Sequence, residues 1–167
     1  MRRVSITIFI FLVGFHNIIW ANELTRKERE LKEIGLHLRE AILSHDATVI
    51  LKYVANDGIP CVDGIIPYDK ILNDLKNRNS WLYCYLFSSE VFEKQYKDDL
   101  YPMSLDSYFM KAVNVQIEVS FMKDNDKVIS DYGCIYYKSS NMEYAPEICF
   151  FLKNGKWTFT DSPYNCN

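Results

Sequence analysis

The chain has 167 residues, a quarter of them charged, and a formal net charge of −3 at pH 7. Its basic and acidic residues are interspersed without a Lys/Arg cluster, which argues against nucleic acid or an anionic membrane surface as a partner. The length is that of a single domain large enough to bury a core.

The first residues have the pattern of a secretory signal peptide. Arg2 and Arg3 precede an apolar run over residues 4–15, and the small Ala21 precedes Asn22. This run is shorter than the roughly 18 residues expected of a membrane-spanning helix, although retention as an uncleaved anchor is the alternative. We therefore predict a signal peptide over residues 1–21, cleavage near Ala21 and export to the periplasm or the medium. The exported domain, residues 22–167, has no further segment able to span a membrane, and its 17 basic and 22 acidic residues give a formal charge of −5.

The helical half of the chain follows. Apolar residues at three- and four-residue steps predict an amphipathic helix over 23–44, with Lys27 on its charged face and a capping box at Thr25. Further helices are predicted over 47–55, 68–77 and 105–112, with helical turns near 91–96, a short extended piece over 58–62 and a turn at Asp63-Gly64. The aromatic run over 81–87 is interpreted as a buried strand or as a segment lying across the open edge of a sheet.

A four-strand antiparallel meander is predicted between Asn114 and Thr160. Residues 114–121 alternate between apolar and polar, and residues 128–137, 148–152 and 156–160 have strand composition. Asn154-Gly155 is a type I′ hairpin signal. The fold class that follows is α+β, with N-terminal helices packed on an antiparallel sheet.

The five cysteines are Cys61, Cys84, Cys134, Cys149 and Cys166, and their number is odd, so at least one thiol is left over or pairs with another chain. A hairpin centred on 141–142 places Cys134 opposite Cys149, which predicts a cross-strand disulfide. The alternative is that both are small buried hydrophobic residues. Because the sequence lacks a CxxC motif and a Cys/His cluster, neither a metal nor a cofactor is expected.

The order of elements resembles the nuclear transport factor 2-like superfamily, a cystatin-like α+β cone. The resemblance is carried by Tyr53 to Gly58, by Asp63-Gly64 with Tyr68 to Ile71, and by Asn154 to Trp157, and it covers nearly all of residues 22–167. It implies helices that close over a curved sheet and leave a cavity. That superfamily includes enzymes, carrier domains and dimerisation modules, so the resemblance assigns no single function.

The candidate lining of such a cavity is a set of polar and amphipathic side chains: His45, Tyr53, Asp63, Tyr83, Tyr85 and Tyr136. A cavity with several tyrosines suits a small apolar or amphipathic ligand. Each member also has a structural interpretation: His45 at a helix end, Asp63 in a turn and the tyrosines in the core. Asp106 is expected at the surface, and Asp131 is expected to point to water.

Two functions follow from these observations. The first, which we favour, is an exported, non-catalytic binding or dimerisation module that uses the outer face of its sheet to form a homodimer or to bind another protein. The second is a small-molecule binder, or a lyase or isomerase that uses the cavity. No residue is assigned a catalytic role, because the sequence has no nucleophile elbow, phosphate loop or metal-ligand helix.

Overall fold

A computed structural model describes residues 4–61, 64–125 and 127–160, with only the backbone described for residues 4–21. The first helix, α1, runs from Val4 to Leu43. It therefore continues through position 23, where the sequence pattern predicted a start, and Thr25 lies inside the helix, so the prediction of a cap there was wrong. The predicted signal peptide, residues 1–21, has its side chains outside the described part of the chain and stays a prediction. Among the described residues, no helix combines the length and the apolar character needed to cross a membrane.

Shorter elements separate α1 from the main sheet. In chain order they are α2 (Ala47–Leu51), β1 (Ile59–Cys61), β2 (Gly64–Ile66), α3 (Tyr68–Lys76), α4 (Trp81–Phe87), α5 (Ser89–Gln95) and α6 (Leu105–Lys111). Strands β1 and β2 form a small antiparallel hairpin in which Ile59 lies opposite Ile66. Ser104 caps α6, because its Oγ accepts a hydrogen bond from the Ser107 N–H.

The aromatic run at 81–87 is the helix α4, so its interpretation as a strand or an edge segment was wrong. Ser80 caps this helix by accepting a hydrogen bond from the Tyr83 N–H at 3.1 Å. Leu82 and Leu86 are almost fully buried, as are three further side chains of the helix. A helix that is buried on most sides is apolar nearly all round, which removes the periodicity that would distinguish it from a strand.

The predicted meander is confirmed as a four-strand antiparallel sheet in the order β3-β4-β5-β6. Its strands are β3 (Gln116–Asp124), β4 (Lys127–Lys138), β5 (Glu147–Lys153) and β6 (Lys156–Thr160). One face of the sheet packs on the helices and forms the core with them, and the other is an outer face. The α+β fold class is therefore confirmed.

Two glycines let α1 approach the inner face of the sheet closely. A Cβ atom on Gly35 would lie 3.2 Å from Ile117 and Ile135, and one on Gly133 would lie 2.6 Å from the Leu31 side chain. The Tyr137 hydroxyl crosses this contact and donates a hydrogen bond to the Gly35 carbonyl at 2.9 Å. The long helix is thus held directly on β3 and β4.

Lys27 is buried, so its placement on the charged outer face of α1 was wrong. Its ammonium lies 2.7 Å from Asp131 Oδ1, 3.1 Å from Glu23 Oε1 and 2.9 Å from Ser130 Oγ. Burial lowers the pKa of Lys27, but the hydrogen bonds and charges of Asp131 and Glu23 outweigh it, so that the pKa is raised. The aliphatic stem packs on the sheet while the charged end is paired. Asp131 is half exposed as expected and also fastens α1 to β4.

Candidate functional site

The predicted disulfide joins the two middle strands of the sheet. Cys134 lies opposite Cys149 in the register of β4 and β5, and the two sulfurs are bonded. Cys61 is also disulfide-bonded, whereas Cys84 is a free thiol buried in α4. A left-over thiol was expected from the odd count, and burial raises the pKa of the Cys84 thiol.

The disulfide also fixes which backbone groups face which neighbouring strand. The Cα atoms of Cys134 and Cys149 are 4.0 Å apart, a separation typical of a non-hydrogen-bonded antiparallel pair. The backbone of Cys134 therefore points towards β3. Backbone directions alternate along a strand, so Tyr137, three residues after Cys134, should point away from β3. It does, because its N–H donates to the Pro146 carbonyl at 3.0 Å.

The same alternation of backbone directions defines the free edge of β3. Ser120 pairs with Cys134, so Gln116, Glu118 and Ser120 direct their backbone groups to β4. The intervening residues Ile117, Val119 and Phe121 direct theirs away from the sheet. No described strand lies beyond β3, so within the described part of the chain this row of N–H and C=O groups has no strand partner.

The opposite edge of the sheet, at β6, is covered. Trp157 and Phe159 direct their backbone groups outward there, and the Phe159 N–H donates to the Tyr53 carbonyl at 2.8 Å. The β1 strand lies against β6 as well. Phe159 and Trp157 on β6 are consequently only 1% and 5% exposed.

The side chains at the β3 edge are less covered than those elsewhere on the inner face. Ile117, Val119 and Phe121 face the core but are only partly buried, whereas Ile135 on β4 is fully buried. Large apolar side chains are also exposed around the strand: Val113 (51%) before it, Met122 (51%) on it and Val128 (37%) opposite its end. The free edge of β3, with these side chains, is the candidate functional site.

The outer face of the sheet carries a second group of side chains around the disulfide. The Tyr136 hydroxyl donates to Glu147 Oε1 at 2.8 Å, and Phe151 is 43% exposed. Desolvation, the hydrogen bond to Glu147 and its negative charge raise the pKa of Tyr136 to about 12. Tyr137 and Phe150, the neighbours of these two rings in sequence, are fully buried on the inner face.

Cys134, Glu147 and Cys149 form a candidate metal cluster, with ligand atoms within 4.8 Å of one another. Both cysteine sulfurs are already bonded to each other, so neither is available as a thiolate ligand. In the disulfide form this group does not have the chemistry of a metal site.

The described residues of the predicted cavity lining lie in different parts of the molecule. Tyr85 is buried and stacks on Trp81 with ring centroids 4.8 Å apart, Tyr83 packs on Phe87, and Tyr136 lies on the outer face. Tyr53 packs edge-on against Phe150 and Phe159. Asp63 lies outside the described residues.

Aromatic rings occupy the space between the helices and the sheet. The largest fully buried side chains include Tyr85, Tyr108, Tyr137, Phe92, Phe150 and Phe159. Burial raises the pKa of Tyr85 and Tyr137 well above the ordinary range, so both hydroxyls stay protonated at neutral pH.

His45 lies just beyond the C-terminal end of α1, in agreement with its structural interpretation as a helix-end residue. The helix ends at Leu43, and His45 adopts a positive φ of 55° in a Schellman motif, in which the Asp46 N–H donates to the Ala41 carbonyl. Its Nε2 atom lies 3.6 Å from Asp106 Oδ1 at a surface cleft of about 650 Å³. The cleft is open and charged, and Glu93 and Lys111 at its border already pair with each other.

The free edge was missed at the level of sequence, although a signal for it existed. The first strand of a meander lies at an edge of the sheet. The alternation over 114–121 already identified Ile117, Val119 and Phe121 as the apolar row of this strand. Which residues of β3 direct their backbone groups outward follows from the pairing of Cys134 with Cys149. No known protein family, curated protein or solved structure matches this chain.

Proposed function

We propose that this domain is a non-catalytic binding module that receives an incoming strand on the free edge of β3. The observation that carries the proposal is the contrast between the two edges of one sheet. The Phe159 N–H at the β6 edge is bonded to the Tyr53 carbonyl, whereas the outward backbone groups of Ile117, Val119 and Phe121 meet no described strand and their side chains are only partly buried.

Strand addition suits this edge physically. An added strand would supply main-chain hydrogen bonds to the outward N–H and C=O groups, and its side chains would cover the apolar row beside them. An edge protected against pairing usually carries charged or proline residues. The regular part of β3 contains one charged residue, Glu118, and its carboxylate already pairs with Lys138 on β4 at 2.6 Å.

Export and family membership belong to the same proposal. The Cys134–Cys149 disulfide favours an oxidising compartment, in agreement with the signal peptide pattern. Helices packed on a four-strand sheet, with a turn at Asn154 and Gly155, are compatible with a nuclear transport factor 2-like domain. The small-molecule binder or lyase/isomerase stays a prediction. Several of the aromatic side chains between the helices and the sheet are fully buried, which is the structural interpretation of these rings.

Photo-crosslinking from three matched positions tests the proposal. The photoreactive residue p-benzoylphenylalanine would replace Met122 on β3, Phe151 on the outer face or Ile65 on β2, all of them exposed apolar residues. In cells that express the chain, we expect a crosslinked protein product at position 122 and little product at 65. Products only at 151 would move the interface to the outer face, and equal yields at all three positions would overturn the proposal.

A further inference from the structure

We propose that the incoming strand is the β3 strand of a second copy of this chain, so that two sheets join into one continuous antiparallel sheet. This inference rests on the proposed function and specifies its partner. A strand edge in an antiparallel sheet can pair with itself about a two-fold axis, because such a pairing is isologous and closed. The features of β3 that select self-pairing are its register, its charges and its apolar row.

The geometry of β3 selects one register, with Val119 on the two-fold axis. Ile117, Val119 and Phe121 carry the outward backbone groups, so these residues must form the hydrogen-bonded pairs of the new ladder. With Val119 opposite its own copy, Ile117 lies opposite Phe121. About six main-chain hydrogen bonds then form, since each such pair exchanges two. This ladder lies in the regular part of β3, before the register shift between Phe121 and Met122.

Charge and side-chain matching exclude the neighbouring registers. A shift of the axis to Glu118 would place two carboxylates directly opposite each other, which is unfavourable. A shift to Ser120 would place Ile117 opposite Lys123 and lose an apolar pair. With the axis at Val119, Glu118 lies opposite Ser120, and its pairing with Lys138 of its own sheet is kept. The favoured register therefore places no like charges opposite each other and joins the two partly buried apolar rows.

The apolar side chains around β3 complete the argument. The exposed ring edge of Phe121 would be covered by Ile117 of the other copy. Each copy thus supplies the apolar cover that β3 lacks and that β6 obtains from its own chain.

The test compares Val119→Pro with Val119→Ala in the purified protein. Both substitutions remove the valine side chain, but only proline removes the outward N–H, and an N–H on the solvent side of an edge strand is one that proline can replace. We expect the wild-type protein and Val119→Ala to be dimers by light scattering. For Val119→Pro we expect a dimer dissociation constant raised about tenfold or more, because two hydrogen bonds are lost per dimer.

A second measurement keeps the proposal testable if Val119→Pro does not fold. Amide exchange of Ile117, Val119 and Phe121 in the wild-type protein should slow as its concentration rises, while that of Phe159 should not change. A wild-type monomer at high concentration, or a dimer that Val119→Pro leaves unchanged with concentration-independent exchange, would overturn the inference. If position 122 still crosslinks to a different protein, the proposed function stands and only the identity of the partner fails.

Discussion

The two edges of the sheet carry the same kind of strand but meet different surroundings. At the β6 edge, the N–H of Phe159 donates to the Tyr53 carbonyl, and the side chains of Trp157 and Phe159 are buried. At the β3 edge, the outward groups of Ile117, Val119 and Phe121 meet no described strand, and their side chains are only partly buried. The difference arises from chain order, because the segment between α1 and α3 returns to β6 and not to β3.

Whether an edge strand of this sheet is covered therefore depends on the connections between the elements and not on the sequence of the strand. Both strands alternate, and both place apolar residues on the inner face. Only the β6 edge has the loop after α2 and the strand β1 beside it. The outer edge of the nine-residue strand β3 is a template for pairing with another strand. Substitutions on the two edge strands measure how far the two edges differ.

The largest expected effect separates two phenylalanines that occupy equivalent inner-face positions. Phe159→Ala should lower the free energy of unfolding by about 3–5 kcal/mol, because the side chain is fully buried at the covered edge. Phe121→Ala should cost roughly half as much, since part of that ring is already in water. Urea denaturation of the two variants at neutral pH measures both values.

The same pair of variants can contradict the conclusion that the two edges are covered to different degrees. Phe121 and Phe159 are the same residue type on strands of the same sheet, so each controls for the other. Equal losses, measured where the protein is monomeric, would mean that the β3 edge is as well covered as the β6 edge. Unequal losses that become equal as protein concentration rises would instead indicate that a second copy covers Phe121.

The features of the fold that were predictable from the sequence are those set by residues close together in the chain. The strand order followed from three local patterns. These are the alternation over 114–121, the Asn154-Gly155 turn, and the hairpin centre at 141–142 that places Cys134 opposite Cys149. The aromatic run at 81–87 was not predictable, because a helix buried all round has no period. Lys27 was not predictable either, since its burial depends on Asp131, more than a hundred positions away.

The next effect concerns the link between the open and the covered halves of the sheet. The Cys134–Cys149 disulfide closes a loop with a sequence separation of 15, for which loop-closure entropy gives about 3 kcal/mol. The double variant Cys134→Ala/Cys149→Ala should lose stability of this order in urea denaturation. Its amide exchange should speed up more in β3 and β4 than in β6, because β6 keeps its bond to the Tyr53 carbonyl.

Cys84→Ala provides the matched control for the disulfide variant. It also removes a sulfur from a buried position, but one that carries a free thiol. Its loss of stability should be smaller than that of the double variant and should not be concentrated in β3 and β4. Uniformly faster exchange across all four strands of the double variant would show that the two halves of the sheet open together.

A smaller effect distinguishes the turns that close the two outer hairpins. Gly155 has a φ of 75°, and a Cβ atom there would have no neighbour within 4 Å, so Gly155→Ala tests the backbone conformation alone. We expect a loss of about 1 kcal/mol in thermal or urea unfolding. In the β3–β4 turn, Asn125 has a φ of 46°, and Asn125→Gly should change stability by less than that. A neutral Gly155→Ala would show that the turn at the covered edge can adopt another conformation.

The smallest expected effect lies on the outer face, beside β3, and depends on pH. The pKa of Tyr136 is raised to about 12, whereas that of a tyrosine in the unfolded chain is about 10. The folded state therefore holds this proton more tightly, so the stability it contributes is present below pH 10 and is lost as pH rises from 10 to 12. Tyr136→Phe should weaken the alkaline loss of stability, measured by urea denaturation between pH 8 and pH 11.5. Part of the decrease in stability at alkaline pH should remain in Tyr136→Phe, because the pKa values of the buried Tyr137 and Tyr85 are raised as well. An unchanged pH dependence in Tyr136→Phe would mean that the hydrogen bond to Glu147 does not persist in solution, and that the outer face beside β3 is as exposed as the edge itself.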